Sequence, residues 1–211
     1  MYKFEYVPLN VWKPIKKELI DIIILVQDKV REYFKFRFDF IGSTQLNMIT
    51  CDYSQNIGFD FDVNIRVNDP NVNYSAKKIK KILMNAFNEV LSNIKCGYDK
   101  CEDNTRVFTI KVKDKKHSKV LHSCDFAIVR DCNDGSQQYI RHNKQQNSYY
   151  YEYQPNGFEL ENKIIWLKRN GYWQAVRDVY LIYKNLNSDP NKKSRSLRAE
   201  VINNIYQTLT N

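Results

Sequence analysis

Asp60-Phe61-Asp62 is the pair best suited to chemistry, because residues two apart on an extended strand project from the same face and bring their carboxylates side by side. Adjacent anions repel unless a cation neutralises them, and hard oxygen donors of this kind suit a divalent ion, Mg²⁺ or Mn²⁺. A third acid, Asp125, lies in the apolar-flanked run from Leu121 to Val129. By parity it shares a face with Ser123 and Ala127, both small, which leaves room for an ion and a substrate. Upstream, Ile41-Gly42-Ser43-Thr44 directly follows another strand-like run. Glycine allows close backbone approach, and the two hydroxyls with free backbone N–H groups can hold phosphate oxygens. Taken singly, each feature also has an ordinary reading: a turn that ends a strand, a solvated face of an antiparallel strand, a capping or turn acid.

The elements that must position these residues follow from periodicity. Phe59, Phe61, Val63 and Ile65 alternate with Asp60, Asp62 and Asn64, which predicts a strand over 59–67 with one apolar and one polar face. Phe36 to Ile41 alternates in the same way and ends at Gly42. Pro14 suits the first turn of a helix over about 13–34, whose apolar positions are Leu19, Ile22, Ile23, Val26 and Val30. Ser75 is positioned to cap a helix with Ile79, Ile82, Leu83, Ala86, Phe87, Val90, Leu91 and Ile94 on one side. Val107–Lys113 and Lys119–Val129 read as an antiparallel hairpin, and Asn143–Tyr153 as an irregular stretch with at most a short strand at Tyr149–Tyr153. Helices are expected over 160–169, 173–186 and 195–209. The order implies an α+β class: a core over 1–153 with a mixed or antiparallel sheet and flanking helices, and a helical C-terminal segment over 154–211 packed on it.

Composition narrows the setting. The chain has 211 residues with 33 Lys+Arg against 24 Asp+Glu, and 43% hydrophobic and 14% aromatic content exclude a disordered chain. No run of about eighteen apolar residues is present to cross a bilayer, and Met1–Tyr6 leads into no apolar segment of a secretory signal, so no membrane partner and a cytoplasmic location are expected. Five cysteines, an odd number, point to reduced thiols, and the spacing of Cys96 and Cys101 from His117 and His122 is not that of a structural zinc site. His117, His122 and His142 have no partner pattern for nucleophilic catalysis, and His122 falls on the strand face opposite Asp125. Lys163–Arg198 holds nine Lys/Arg against two Asp, which fits an anionic partner or solvated basic helix faces.

Gly42-Ser43, apolar-flanked Asp60-Phe61-Asp62-Val63, a helix, then apolar-flanked Asp125 on a later strand: together these resemble the DNA polymerase β-like nucleotidyltransferase superfamily over about residues 15–130. The helix placement and the hairpin that carries Asp125 look most like the branch of oligoadenylate synthetases and bacterial cyclic-oligonucleotide synthases. Two departures stand out: sixteen residues separate Ser43 from Asp60, a few more than usual, and no second Gly-Thr pair follows Gly42-Ser43.

The resemblance implies a nucleotidyltransferase-type sheet and Mg²⁺- or Mn²⁺-dependent transfer of a nucleoside monophosphate from an NTP to a hydroxyl, with release of pyrophosphate. It implies Gly42, Ser43 and Thr44 at the triphosphate and Asp60 and Asp62 as holders of two ions. Asp125 would complete the ion that activates the attacking hydroxyl and could accept its proton. It also implies a helical segment over the nucleotide, where Arg177, Tyr180 and Lys184 recur at helical spacing and Lys184 could meet phosphate, although Trp166, Trp173 and Tyr180 suit helix packing better than a base platform. The acceptor is open among a second nucleotide, an RNA 3′ end, a small molecule and a protein side chain, with the basic tail favouring nucleotide or RNA. The alternative is a nucleotide- or RNA-binding module on the same fold without catalysis, against which stand three mutually repelling carboxylates.

Overall fold

Phe59, Phe61, Val63 and Ile65 are each 2% exposed or less, while Asp60 on the opposite face is open to solvent, so the alternation read from sequence is a buried face set against a polar one. The computed structural model describes residues 2–69, 72–117, 119–154 and 158–210. In chain order the first elements are β1 (Glu5–Tyr6), α1 (Leu9–Val30), β2 (Lys35–Ile41), α2 (Gly42–Leu46) and β3 (Thr50–Cys51), then a 3₁₀ turn at Tyr53–Gln55. There follow β4 (Phe59–Asn68), α3 (Ala76–Ile94), β5 (Glu102–Asp103), β6 (Phe108–Asp114), β7 (Lys119–Asp131), β8 (Gln137–Asn143) and β9 (Ser148–Tyr153). The chain closes with α4 (Phe158–Arg169), α5 (Trp173–Leu186) and α6 (Ser194–Thr210). It divides into two compact units, a sheet unit of Val7–Ile49 with Asn56–Gln154 and a helical unit of Met1–Tyr6, Thr50–Gln55 and Pro155–Asn211.

The fold is α+β, with a seven-stranded mixed sheet in the order β2-β4-β7-β6-β5, to which β8 adds along β7 and β9 along β8. The central β4–β7 pair is parallel and its neighbours are antiparallel. In register, Phe59, Phe61, Val63 and Ile65 of β4 face His122, Cys124, Phe126 and Ile128 of β7 on the apolar side. The stripe of α3 covers that side: the Phe87 ring lies 5.2 Å from Phe108 and 4.6 Å from Phe126. Ser75 caps α3 as its position suggests, its side chain accepting from the Lys78 N–H at 3.3 Å. Leu19, Ile22, Ile23, Val26 and Val30 of α1 are buried as the period requires.

Three local expectations are revised. α1 begins at Leu9, four residues early, because Pro8 rather than Pro14 stands at its start; Pro14 lies inside the helix, where it lacks the amide that would bond back to Asn10. Ile94, expected on the apolar side of α3, is exposed at the helix end. The short strand expected at Tyr149–Tyr153 is β9, and it pairs with an unexpected strand, β8, from Gln138↔Tyr153 to Asn143↔Ser148.

In the helical unit β1 pairs antiparallel with β3, Glu5 opposite Cys51 and Tyr6 opposite Thr50. Leu167, Val176, Tyr180, Leu197, Val201 and Ile202 form the apolar interior of α4–α6. Trp166 stacks on Tyr172 and meets Tyr206 edge-on. The long spacing between Ser43 and Asp60 has a structural reason: Thr50–Gln55 within it supplies β3 and the 3₁₀ turn to the helical unit before the chain returns at β4. Among the described residues no helix is long and apolar enough to cross a membrane.

Candidate active site

Register decides whether the three acids share a surface. Asp62 pairs directly with Asp125 across the parallel β4–β7 ladder, and Asp60 pairs with Ser123. Paired residues project to the same side of a sheet, so Asp60, Asp62, Ser123 and Asp125 occupy one face, opposite Phe61 and Cys124. On the outer side of β4, Ile41 pairs with Asp62, and the chain turns away at Gly42. Gly42 has φ +63°, and a Cβ there would stand 2.8 Å from Asp62 Oδ2. The left-handed backbone favours glycine, and the Asp62 carboxylate lies close against it. Gly58, at the other end of the site, lets the start of β4 lie against the backbone carbonyls of Val120 and Leu121, where a side chain would collide.

Each flanking acid has a hydroxyl partner. The Ser123 hydroxyl donates to Asp60 Oδ1, and the Thr109 hydroxyl donates to Asp125 Oδ1 at 2.5 Å. Asn104 Nδ2 in turn donates to Thr109 Oγ1 at 3.0 Å. Burial and the neighbouring Asp60 carboxylate push the Asp125 carboxyl above its ordinary pKa, against the pull of the Thr109 hydroxyl and Lys111. Among the described residues no three His, Cys, Asp or Glu side chains are gathered closely enough to hold an ion by themselves. Like charges at neighbouring positions favour separation, and Asp60 and Asp125 are each turned toward a hydroxyl. The donor set nonetheless fits Mg²⁺ or Mn²⁺ in kind and placement: three hard carboxylates on one sheet face, for an ion that takes its remaining ligands from water and a triphosphate.

The other expected contacts are distributed as follows. Ser43 is half-buried beside Gly42, whereas Thr44 is only 4% exposed and its Oγ1 has no hydrogen-bond partner among the described residues. Asn64 Oδ1, next along the acid face of β4, is buried and equally without one. Lys184 belongs to the helical unit, where its ammonium donates to Thr50 Oγ1 at 2.6 Å and lies 4.2 Å from the centre of the Phe4 ring. Arg177 lies over the Tyr6 ring in the same unit, and Tyr180 is buried there. His122 is structural: it stacks on Phe59, bonds the Tyr98 hydroxyl at 3.2 Å, and burial pulls its pKa down to about 4. All five cysteines are free thiols.

Sequence reading missed Thr109 and Asn104. Thr109 is one polar residue between Phe108 and Ile110, and only the β6–β7 register sets it opposite Asp125. A second polar cluster adjoins them. Lys80 of α3 is 2% exposed, and its ammonium reaches Asn104 O at 2.7 Å, Val107 O at 3.1 Å and Asp103 Oδ1 at 2.6 Å. Asp103 also accepts from the Tyr149 hydroxyl at 2.7 Å, and Tyr149 stacks on His142.

The mixed sheet with helices on its apolar side has the fold of solved bacterial nucleotidyltransferases. The chain aligns with the Vibrio cholerae DncV cyclic AMP-GMP synthase in complex with nonhydrolyzable GTP at TM-score 0.61 and 14% identity, over 92% of this chain and 53% of that one. The same synthase in complex with the linear intermediate 5′ pppA(3′,5′)pG aligns at TM-score 0.60 and 15% identity, over 84% and 46%. The Bradyrhizobium diazoefficiens CD-NTase CdnG in complex with GTP aligns at TM-score 0.51 and 12% identity, over 74% and 42%. The chain thus spans about half the length of the solved structures it matches. No protein-family model matches the sequence, and no curated protein sequence does. The resemblance carried by Gly42-Ser43 and the three acids is met, at the level of fold, by these bacterial synthases.

Proposed function

We propose that the protein is a Mg²⁺- or Mn²⁺-dependent nucleotidyltransferase that moves a nucleoside monophosphate from an NTP to a hydroxyl, with a nucleotide or RNA as the favoured acceptor. The observation that carries this reading is the direct pairing of Asp62 with Asp125 on the face that also holds Asp60, with Gly42 closed against Asp62. Asp60 and Asp62 would hold the ions that carry the triphosphate, and Gly42-Ser43 would border its β- and γ-phosphates. Bound at these acids, divalent ions would neutralise the developing charge and lower the pKa of the attacking oxygen. Asp125 orients the acceptor hydroxyl and takes its proton as the new O–P bond forms at the α-phosphorus; the bond to the β-phosphate breaks and pyrophosphate leaves. Further support comes from the solved neighbours, whose complexes hold GTP, its nonhydrolyzable analogue and a linear dinucleotide.

The test incubates the purified protein with each labelled NTP and Mg²⁺, with and without total RNA, and resolves the products. Pyrophosphate together with an oligonucleotide ladder, a cyclic product or labelled RNA is expected, and the product names the acceptor. A protein inactive with every NTP and acceptor, yet tightly bound to RNA in a salt-sensitive way, would replace this reading with the binding module.

A further inference from the structure

Strand parity brings Asp125 to the acid face without deciding which of its two oxygens is open to the reaction. Thr109, its cross-strand partner, is 3% exposed, and the Thr109 hydroxyl lies between Asp125 Oδ1 at 2.5 Å and Asn104 Nδ2 at 3.0 Å. A carboxylate has no proton to give, and an amide nitrogen donates without accepting. The hydroxyl between them therefore has one arrangement, accepting from Asn104 and donating to Asp125. Were the Asn104 amide turned over, two acceptors would compete for one proton and one close contact would become repulsive.

Asn104 is itself anchored. Its N–H donates to Val107 O at 3.0 Å and its carbonyl accepts from Lys80 Nζ at 2.7 Å. Lys80 also donates to Val107 O and forms an ion pair with Asp103, which ties the loop between β5 and β6 to α3. The amide that orients the hydroxyl thus sits on a pinned stretch of backbone.

We propose that Asn104 and Thr109 are positioning residues for Asp125: the amide–hydroxyl–carboxylate chain commits Asp125 Oδ1 to Thr109 and presents Oδ2 to the reaction. This rests on the transferase reading, and it adds that the aim of the third acid is set by two residues on the neighbouring β5–β6 segment. Outer partners of this kind orient a ligating carboxylate, and their loss lowers metal affinity or turnover by about 10–100-fold.

Three variants separate direction from bulk. Thr109→Val keeps the shape and removes the hydroxyl, Thr109→Ser keeps the hydroxyl, and Asn104→Asp replaces the donor with an acceptor so that the Thr109 proton turns away from Asp125. Two readouts run together: Mn²⁺ binding by electron paramagnetic resonance in the presence of a nonhydrolysable NTP, and kcat and KM for transfer. Thr109→Val and Asn104→Asp should each weaken Mn²⁺ binding and lower kcat by about 10–100-fold, with KM for NTP moving less than about threefold. Thr109→Ser should recover most of both. A Thr109→Val protein with the wild-type Mn²⁺ affinity and kcat, or a Thr109→Ser protein as impaired as Thr109→Val, overturns the proposal. Wild-type protein that neither transfers nor binds Mn²⁺ with nucleotide overturns the transferase reading and the positioning role together. Proton NMR tells the two failures apart, since an exchange-protected hydroxyl signal that vanishes in Thr109→Val and shifts in Asp125→Asn reports the hydrogen-bond chain whether or not the protein is an enzyme.

Discussion

Two charged clusters of opposite construction lie on either side of the Asn104 loop. Around Lys80 the charges are of opposite sign: the ammonium donates to the Asn104 and Val107 carbonyls and forms an ion pair with Asp103. On the acid face three carboxylates gather, the Ser123 and Thr109 hydroxyls bond Asp60 and Asp125, and at Asp125 the repulsion of Asp60 outweighs the attraction of Lys111. A buried charge that is fully paired contributes to the fold, whereas a repelling group kept at one site lowers stability and is informative about function. The contrast separates a structural lysine from the candidate site acids, although they are linked through a single asparagine.

The largest expected effect lies on the acid face. Asp125→Asn should lower transfer by about 10³-fold, while the melting temperature stays at or above that of the wild type because one repelling charge is gone. Product assays beside thermal melts check both halves, and an active Asp125→Asn protein would end the assignment. At the lysine the order reverses: Lys80→Met strands Asp103 and two carbonyls, and should reduce stability by about 3 kcal/mol in urea titrations. Unchanged stability would show the cluster to be less tightly paired than its distances indicate. The smallest effect is a pH dependence. Burial works to raise the Asp103 carboxyl, but hydrogen bonds from Lys80 and Tyr149 outweigh it and hold the pKa below the ordinary range. Its stabilisation is therefore complete above the usual carboxylate value of about 4 and is lost as pH falls from there through the depressed value. The stability difference between wild type and Asp103→Asn should shrink along that acid limb, and a difference that grows on acidification would contradict the pairing.

Much of this was legible before the structure. The two-residue period of Phe59–Ile65 and the helical period behind Ser75 are strong signals because each element has one wholly buried side. Asp60, Asp62 and Asp125 could be named because short apolar flanks fix strand parity. β8 and its pairing with β9 were not legible, since Gln137–Asn143 shows no clear polar contrast and the pairing partner supplies the order. Thr109 and Asn104 were hidden for a different reason: their roles exist only once β6 is in register with β7, a long-range fact that no local pattern encodes. Pro14 misled because a proline marks a helix start only when nothing upstream does so better, and Pro8 does.

The detour at Thr50–Gln55 bears on how the polypeptide reaches its final state. The helical unit is threaded from three stretches, and the Asn185 side chain bridges both backbone groups of Phe4, 181 positions away. Asp52 sits between the extremities, receiving the Lys3 N–H together with those of Ser54 and Gln55. Closing so wide a chain loop is entropically demanding and slow compared with forming α3 or the β6–β7 hairpin. The closure of Asn185 onto Phe4 is therefore expected to follow α3 and the β6–β7 hairpin in folding, which pulsed hydrogen exchange checks. A protein cut after Gln154 would leave Phe4 and Thr50 without Asn185 and Lys184, an orphaned ribbon exposed to proteases and to self-association.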